Sequence, residues 1–396
     1  VMDWQRAQER PWVPAPNPRG VPGPVPYRLP RRHSVGFYMT VAVLALVGVA
    51  GFIVVLPLLT ESAGTGAAAR SGIIALIPVI VVTAIIWWVD SWEPEPRWIM
   101  IAMFLWGGGV AVALAAWINT AWAESYYFAT GNAAKASMWA AVVSAPIVEE
   151  AAKGLGVVLV FVFFRKYVNG PLDGLAYGAM SGLGFAFTEN ILYFTRYFEY
   201  LGEIAILRFS SPLLHPLCTA IIGMFLGFAV YARSRWVAVP LLVPGYALAV
   251  AIHFMHNGWA TIADSQPDGS MSFNYLAVQI PSYLAAVILV VWFRHEESLT
   301  ISQRLDEYQR AGWFAPYEVE MLGSLEGRRR ATAWAASRGG HAKEAMKRFQ
   351  QEATHLALNR QRAALGTIPG ASAQREEAKI LATIAQARSI FMAGVR

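Results

Sequence analysis

Glu149, Glu150 and Lys153 fall within one long apolar stretch, Glu189 and Asn190 within the next, His215 in a third, and His253, His256 and Asn257 in a fourth. A charged side chain at the centre of a bilayer costs about 2.5–3.5 kcal/mol or more, so ionisable groups in such stretches mark working sites. On a helix, Lys153 lies four residues after Glu149 and three after Glu150, within reach of both carboxylates. One ammonium neutralises one of them. The other is left to hold or take a proton, which is the behaviour of a general acid or base. A structural ion pair with a spare protonated Glu bracing two helices is the alternative reading of the same residues. Asn257 lies one turn beyond His253, and an amide beside an imidazole makes a pair of oxyanion donors. His256 falls off that line and reads as secondary.

The elements that must position these groups follow from composition. The 396 residues are 56% hydrophobic and 15% charged, with 15 Trp and a mean hydropathy of +0.41. Soluble domains carry about 25% charge, so the chain reads as an all-α polytopic membrane protein. About 20 apolar residues are needed per crossing. Eight stretches qualify as transmembrane helices, at 37–59, 72–89, 98–118, 138–164, 172–194, 213–232, 237–262 and 275–293. Residues 1–34 form a Pro/Arg-rich tail with no apolar period, read as extended and not as a signal peptide. Residues 35–294 form the transmembrane helical domain, with the polar residues in a core at about 137–260. Residues 295–396, rich in charge, Ala and Gln, read as a soluble helical C-terminal region.

Basic residues fix the orientation. Six Arg in the tail, Arg97, Arg165 with Lys166, and Arg233 with Arg235 fall on one side of an eight-span arrangement. Arg70, Lys135, Arg196 and Arg208 fall on the other. By the positive-inside rule both termini are cytoplasmic. At a rise of about 1.5 Å per residue, Glu149 then lies roughly 16 Å in from the outer end of its span, Glu189 roughly 8–12 Å and His253 roughly 13 Å, with His215 shallower. Four sequence-distant groups in the outer half of the bilayer imply one water-accessible cavity.

Small residues predict which faces pack. Gly174, Gly178, Gly182 and Ala186 recur every four residues and lead to Asn190, with Glu189 beside it; Gly245 and Ala249 lead likewise to His253 and Asn257. Such stripes let helix backbones approach closely. The single Cys218 excludes a disulfide framework and thiolate zinc motifs, and it reads as an apolar filler. Gly107–Gly109 follows no strand and reads as packing or a kink, not a phosphate loop. His33, His295, His341 and His355 lack ligand spacing. Arg328–Arg330 reads as a solvated helix face, with anionic lipid or acidic partners as the alternative. The basic residues crowd the ends and short loops, a pattern of topology and not of nucleic-acid binding.

The residues derived above have the forms EExxK (Glu149 to Lys153), FxxxEN (Phe185 to Asn190) and HxxxN (His253 to Asn257), with His215 between the last two. This pattern resembles the PrsW family of bacterial intramembrane proteases, distant relatives of the CAAX-processing membrane proteases. The resemblance covers roughly 137–260. It implies a multi-pass protein of the bacterial plasma membrane that cleaves single-span membrane-protein substrates, typically anti-sigma factors. It also implies metal dependence.

On that basis Glu149 or Glu150 is expected to activate water and Glu189 to position it. Lys153 keeps the second carboxylate ionised, His253 and Asn257 stabilise the oxyanion, and Asn190 supports Glu189. His215 is a fourth polar wall or a metal ligand. A divalent metal such as zinc would take Glu189, His215 and His253 as ligands. Two other classes remain: a proton-coupled transporter or channel built on the same Glu, His and Lys, and a non-catalytic scaffold whose C-terminal helices recruit cytoplasmic partners.

Overall fold

The computed structural model describes residues 35–61, 64–232, 234–264 and 271–393. The Pro/Arg-rich tail, Arg233 and most of the connection before the last predicted span lie outside the described residues. The described residues are helical throughout, with no strand among them. They divide into two compact units, Arg32–Arg294 and the residues from His295 onward.

In the first unit α1 is Val35–Thr60, α2 Gly64–Val89 and α3 Arg97–Leu105; α3 continues through a π-helical Trp106–Ala111 into α4, Val112–Thr130. Gly131, at φ 68°, ends α4 and donates its N–H to Tyr127 O. The Asn132 side chain then accepts the Lys135 N–H to start α5, Ala133–Trp139. A π-helical Ala140–Ser144 leads into α6, Ala145–Phe163, with Pro146 in its first turn. There follow α7 Pro171–Arg196, α8 Leu201–Ser210, α9 Leu214–Phe228, α10 Ala238–Asp264 and α11 Met271–Arg310.

Five stretches among the described residues are long and apolar enough to cross a membrane: Val43–Thr60, Gly64–Val89, Arg97–Thr130, Phe198–Tyr231 and Ala238–Thr261. That is short of the eight expected. Two of the expected spans coincide with α6, which carries Glu149, Glu150 and Lys153, and α7, which carries Asp173, Glu189 and Arg196. The site residues themselves lower the apolarity of the helices that bear them.

The predicted stripes are packing seams. A Cβ added at Gly174, Gly178 or Gly182 would run into the backbone oxygens of Gly223, Thr219 and His215, so α7 and α9 touch backbone to backbone. Gly245 meets Phe225 of α9, and Ala249 is fully buried. The Gly107–Gly109 run serves packing: Gly107 abuts the Ser181 carbonyl and Gly108 that of Gly184, across α7. A π-turn widens the helix and shifts its register, and here Gly107 and Gly108 lie against α7 while Gly109 meets Gly48 and Gly51 of α1. Pro146 does not break its span either. The π-turn just before it absorbs the proline, whose missing N–H removes one ladder bond.

In the second unit α12 is Pro316–Leu322, α13 Leu325–Ala336, α14 Gly340–Ala364 and α15 Gly370–Met392. Phe349 packs against Phe314 at a tilt and against Phe391 edge to face, and all three are buried. Arg388 forms two bonds of 3.0 Å to the fully buried Glu318. Arg328 departs from the solvated reading of its run: it is buried and donates to Leu322 O and Thr354 Oγ1, while Arg329 and Arg330 are exposed.

Candidate active site

Four helices of the first unit, α6, α7, α9 and α10, bring their polar residues to one place. Glu150 is the hub. Its Oε1 lies 2.6 Å from Lys153 Nζ and 2.9 Å from His253 Nδ1, and its Oε2 accepts the Thr219 hydroxyl at 3.0 Å. Lys153 also reaches His215 Nδ1 at 2.9 Å and lies over the Phe185 ring, 4.4 Å from its centroid. That a fully buried ammonium tolerates this position follows from the carboxylate, the imidazole and the ring face around it.

Glu149 differs from its neighbour. It is 7% exposed, and its Oε2 has no hydrogen-bond partner among the described residues. Lys153 Nζ and His253 Nε2 each lie 3.9 Å from that oxygen. Because His253 turns Nδ1 to a carboxylate, that nitrogen carries the proton, and in the neutral ring Nε2 is a bare acceptor directed at Glu149.

Glu189 of α7 accepts from Arg208 Nη2 of α8 and lies 2.7 Å from His215 Nε2. Arg208 Nε donates to Asn190 Oδ1 at 2.7 Å, and its guanidinium stacks on Tyr193. The cluster thus holds three carboxylates, Glu149, Glu150 and Glu189, against two permanent cations, Lys153 and Arg208. The carboxyl oxygen left without a partner belongs to Glu149.

Glu149, His215 and His253 offer three ligand atoms all within 4.8 Å of one another. Glu149 stands there in the role the sequence reading gave to Glu189. These residues fit a divalent metal on two counts: the carboxylate oxygen is unsatisfied, and His253 is held from behind by Glu150, as metal-ligating imidazoles are. Both nitrogens of His215 are engaged, so it joins such a set only by releasing Glu189 or Lys153.

Asn257 is not drawn to the carboxylates. Its Nδ2 donates to Ala141 O at 2.8 Å, inside the π-turn that leads to α6. His256 pairs with Gln279 of α11, consistent with a secondary place. Cys218 is fully buried and free. Arg208 and Thr219 were not anticipated. Thr219 follows His215 by four residues on one helix face, a spacing visible in the sequence; nothing local distinguishes Arg208.

A cavity of about 480 Å³ opens on Glu149 and Glu189 and is lined also by residues of α1 and α4.

The protease PrsW of Bacillus subtilis (strain 168) is 31% identical over 127 residues, covering 30% of this chain and 55% of that protein. The protease PrsW of Geobacillus kaustophilus (strain HTA426) is 32% identical over 159 residues, covering 39% of this chain and 66% of that protein. The chain therefore spans between half and two thirds of the length of the curated relatives it matches. No solved structure matches it significantly. The family model for PrsW intramembrane metalloproteases matches residues 95–293, which is half of the chain and contains every residue of the cluster, and the chain belongs to that family.

Proposed function

We propose that the protein is a membrane-embedded peptidase that hydrolyses a peptide bond of single-span membrane proteins, of the anti-sigma-factor kind, in a bacterial plasma membrane. The observation that carries this reading is the unpartnered Oε2 of Glu149, buried between His253 and the cavity. A carboxyl oxygen without a hydrogen bond, 3.9 Å from an imidazole nitrogen and on a residue that lines an open cavity, is arranged for a reactant.

In this reading Glu149 is the general base that takes a proton from the attacking water, and Glu189 orients that water from the same cavity. Glu150 is spent on Lys153, Thr219 and His253 and acts as a positioning residue. Its carboxylate behind Nδ1 stabilises the imidazolium that forms when His253 Nε2 accepts a proton, so that His253 next donates toward the oxyanion and the leaving amine. Asn190 holds Arg208, which holds Glu189. Asn257 ties α10 to the π-turn and so sets the position of His253. A divalent ion bound by Glu149, His215 and His253 supplies Lewis-acid polarisation and a more acidic water. Glu149 cannot serve as metal ligand and as base at once.

Eight spans with both termini cytoplasmic place this cluster toward the outer face, where cleavage of a substrate's outer segment would start a signal. The C-terminal helices, on the cytoplasmic side, are offered to a cytoplasmic partner. The test is quantitative proteomics of single-span membrane proteins in cells carrying wild type or Glu149→Gln at matched levels. A substrate that accumulates full-length in the mutant while its fragment vanishes supports the peptidase. No change in any membrane protein, with the mutant folded, sinks it and favours proton conduction through the same residues.

A further inference from the structure

The 480 Å³ cavity has a construction that the chemistry of Glu149 alone does not require. From α4 it takes Val112, Ala115, Ala116 and Asn119, which are spaced i, i+3, i+4 and i+7 and so form one helix face. From α7 it takes Phe185, Glu189, Leu192, Tyr193 and Arg196, again a single face, which continues toward the helix C-terminus the face that the glycine seam presses on α9. Leu58 and Glu61, at the end of α1, line it as well.

Two details of the α4 face point to a ligand. Ala115 and Ala116 leave room where larger side chains would fill the space between α4 and α7. Asn119 accepts the Ser144 hydroxyl at 2.7 Å through Oδ1, which fixes the amide with its two Nδ2 hydrogens free to donate. A membrane helix already engages its backbone carbonyls internally and offers such a donor only a second lone pair. An unwound stretch of polypeptide offers it a free carbonyl, and only an unwound stretch exposes a peptide carbonyl to a base.

We infer that this cavity is the cleft for the substrate residues flanking the scissile bond, held extended, with Asn119 Nδ2 binding a backbone carbonyl and the Ala115–Ala116 floor receiving a bulky apolar side chain. The inference rests on the peptidase reading and adds to it a place and a side-chain preference for the substrate.

The experiment uses the full chain in proteoliposomes with a library of bilayer-spanning peptides randomised across one end, products being read by mass spectrometry. Wild type is expected to prefer bulky apolar residues at one position beside the cut. Ala116→Phe fills the floor and shifts that preference to small residues by about tenfold or more in kcat/KM. Asn119→Ala raises KM by about tenfold with kcat within about twofold, the pattern of lost ground-state binding. Ser144→Ala, which unfixes the amide but keeps the Asn119 donors, raises KM clearly less than Asn119→Ala does; an equal rise there makes the effect structural and overturns the assignment. Wild-type KM and preference in both Ala116→Phe and Asn119→Ala, with Glu149→Gln inactive, overturn the cleft and leave the peptidase standing. Cleavage by Glu149→Gln at the wild-type rate overturns the peptidase mechanism instead.

Occupancy is read without turnover by photocrosslinking from benzoylphenylalanine at Leu58 in Glu149→Gln, with Ile80, 68% exposed on α2, as the control site. Peptide captured from 58 and not from 80 supports the cleft. Equal capture at both overturns it.

Discussion

His253 places Nδ1 2.9 Å from Oε1 of Glu150, and this one bond decides which of two adjacent glutamates is available for chemistry. Glu150, fully buried, has both oxygens occupied, whereas Glu149 keeps one without a partner. The two substitutions to Gln should therefore differ in kind. Glu149→Gln should leave thermal unfolding in detergent near wild type and lower turnover by about 10²–10⁴, the range of a lost general base. Glu150→Gln strands the Lys153 ammonium, and breaking a buried pair costs about 3–5 kcal/mol. Its melting temperature should fall clearly. Equal stability of the two variants would contradict this division.

The ligand geometry makes a separate prediction about metal. If a divalent ion is resident, elemental analysis of protein purified without chelator should find about one zinc per chain in wild type and in Glu189→Gln, and little in His253→Ala or Glu149→Ala. Glu189 enters only behind His215, so its loss changes orientation and not stoichiometry. Loss of metal in Glu189→Gln with retention in Glu149→Ala would restore the ligand set expected from the sequence.

Arg208 is the clearest case of a residue whose importance is tertiary. It contacts Glu189, Asn190 and the Tyr193 ring at once. The guanidinium fork does this; an ammonium does not. Arg208→Ala should reduce kcat by about tenfold or more with a smaller change in KM, and Arg208→Lys should recover part of it by restoring charge beside Glu189. A pure KM effect in Arg208→Ala would show that α8 serves substrate entry alone.

What the sequence discloses here is what helix periodicity carries. The stripe from Gly174 to Ala186 announces a close backbone approach, and the structure puts α9 against it, which delivers His215 to Glu189. The fourfold spacing from Glu149 to Lys153 likewise announces the ion pair, though not that Lys153 sides with Glu150. What stays hidden depends on register or on distant docking. Asn257 looks like an oxyanion donor on an ideal helix, but the π-turn at Ala140–Ser144 disturbs the neighbouring ladder and offers it the Ala141 carbonyl. Asn119 is one polar residue in an apolar run until Ser144, 25 positions away, fixes its amide.

A second group of carboxyls, far from the motifs in sequence, sets a pH dependence of stability. Asp90, Glu93 and Glu95 join α2 to α3, beside Asp173 and Asn169. Asp90 accepts the Glu95 N–H at 2.8 Å, and Glu95 accepts the Tyr177 hydroxyl. Burial pushes the Asp90 carboxyl up to about 8, with Asp173 and Glu93 adding to the effect against the Glu95 N–H and Arg294. Burial, then Asp173 and Glu93, holds Glu95 well above the usual carboxylate range. Between about pH 4 and 8 the folded chain therefore binds protons that the unfolded chain has released, so stability falls as pH rises through that window. Wild type should melt on the order of a few degrees lower at pH 8 than at pH 5. Asn at position 90 keeps an acceptor for the Glu95 N–H and removes the titration. Asp90→Asn should accordingly flatten this slope, leaving the part due to Glu95, and should gain most at pH 8. An unchanged slope in Asp90→Asn would mean that Asp90 is ionised in the fold, paired with Arg294.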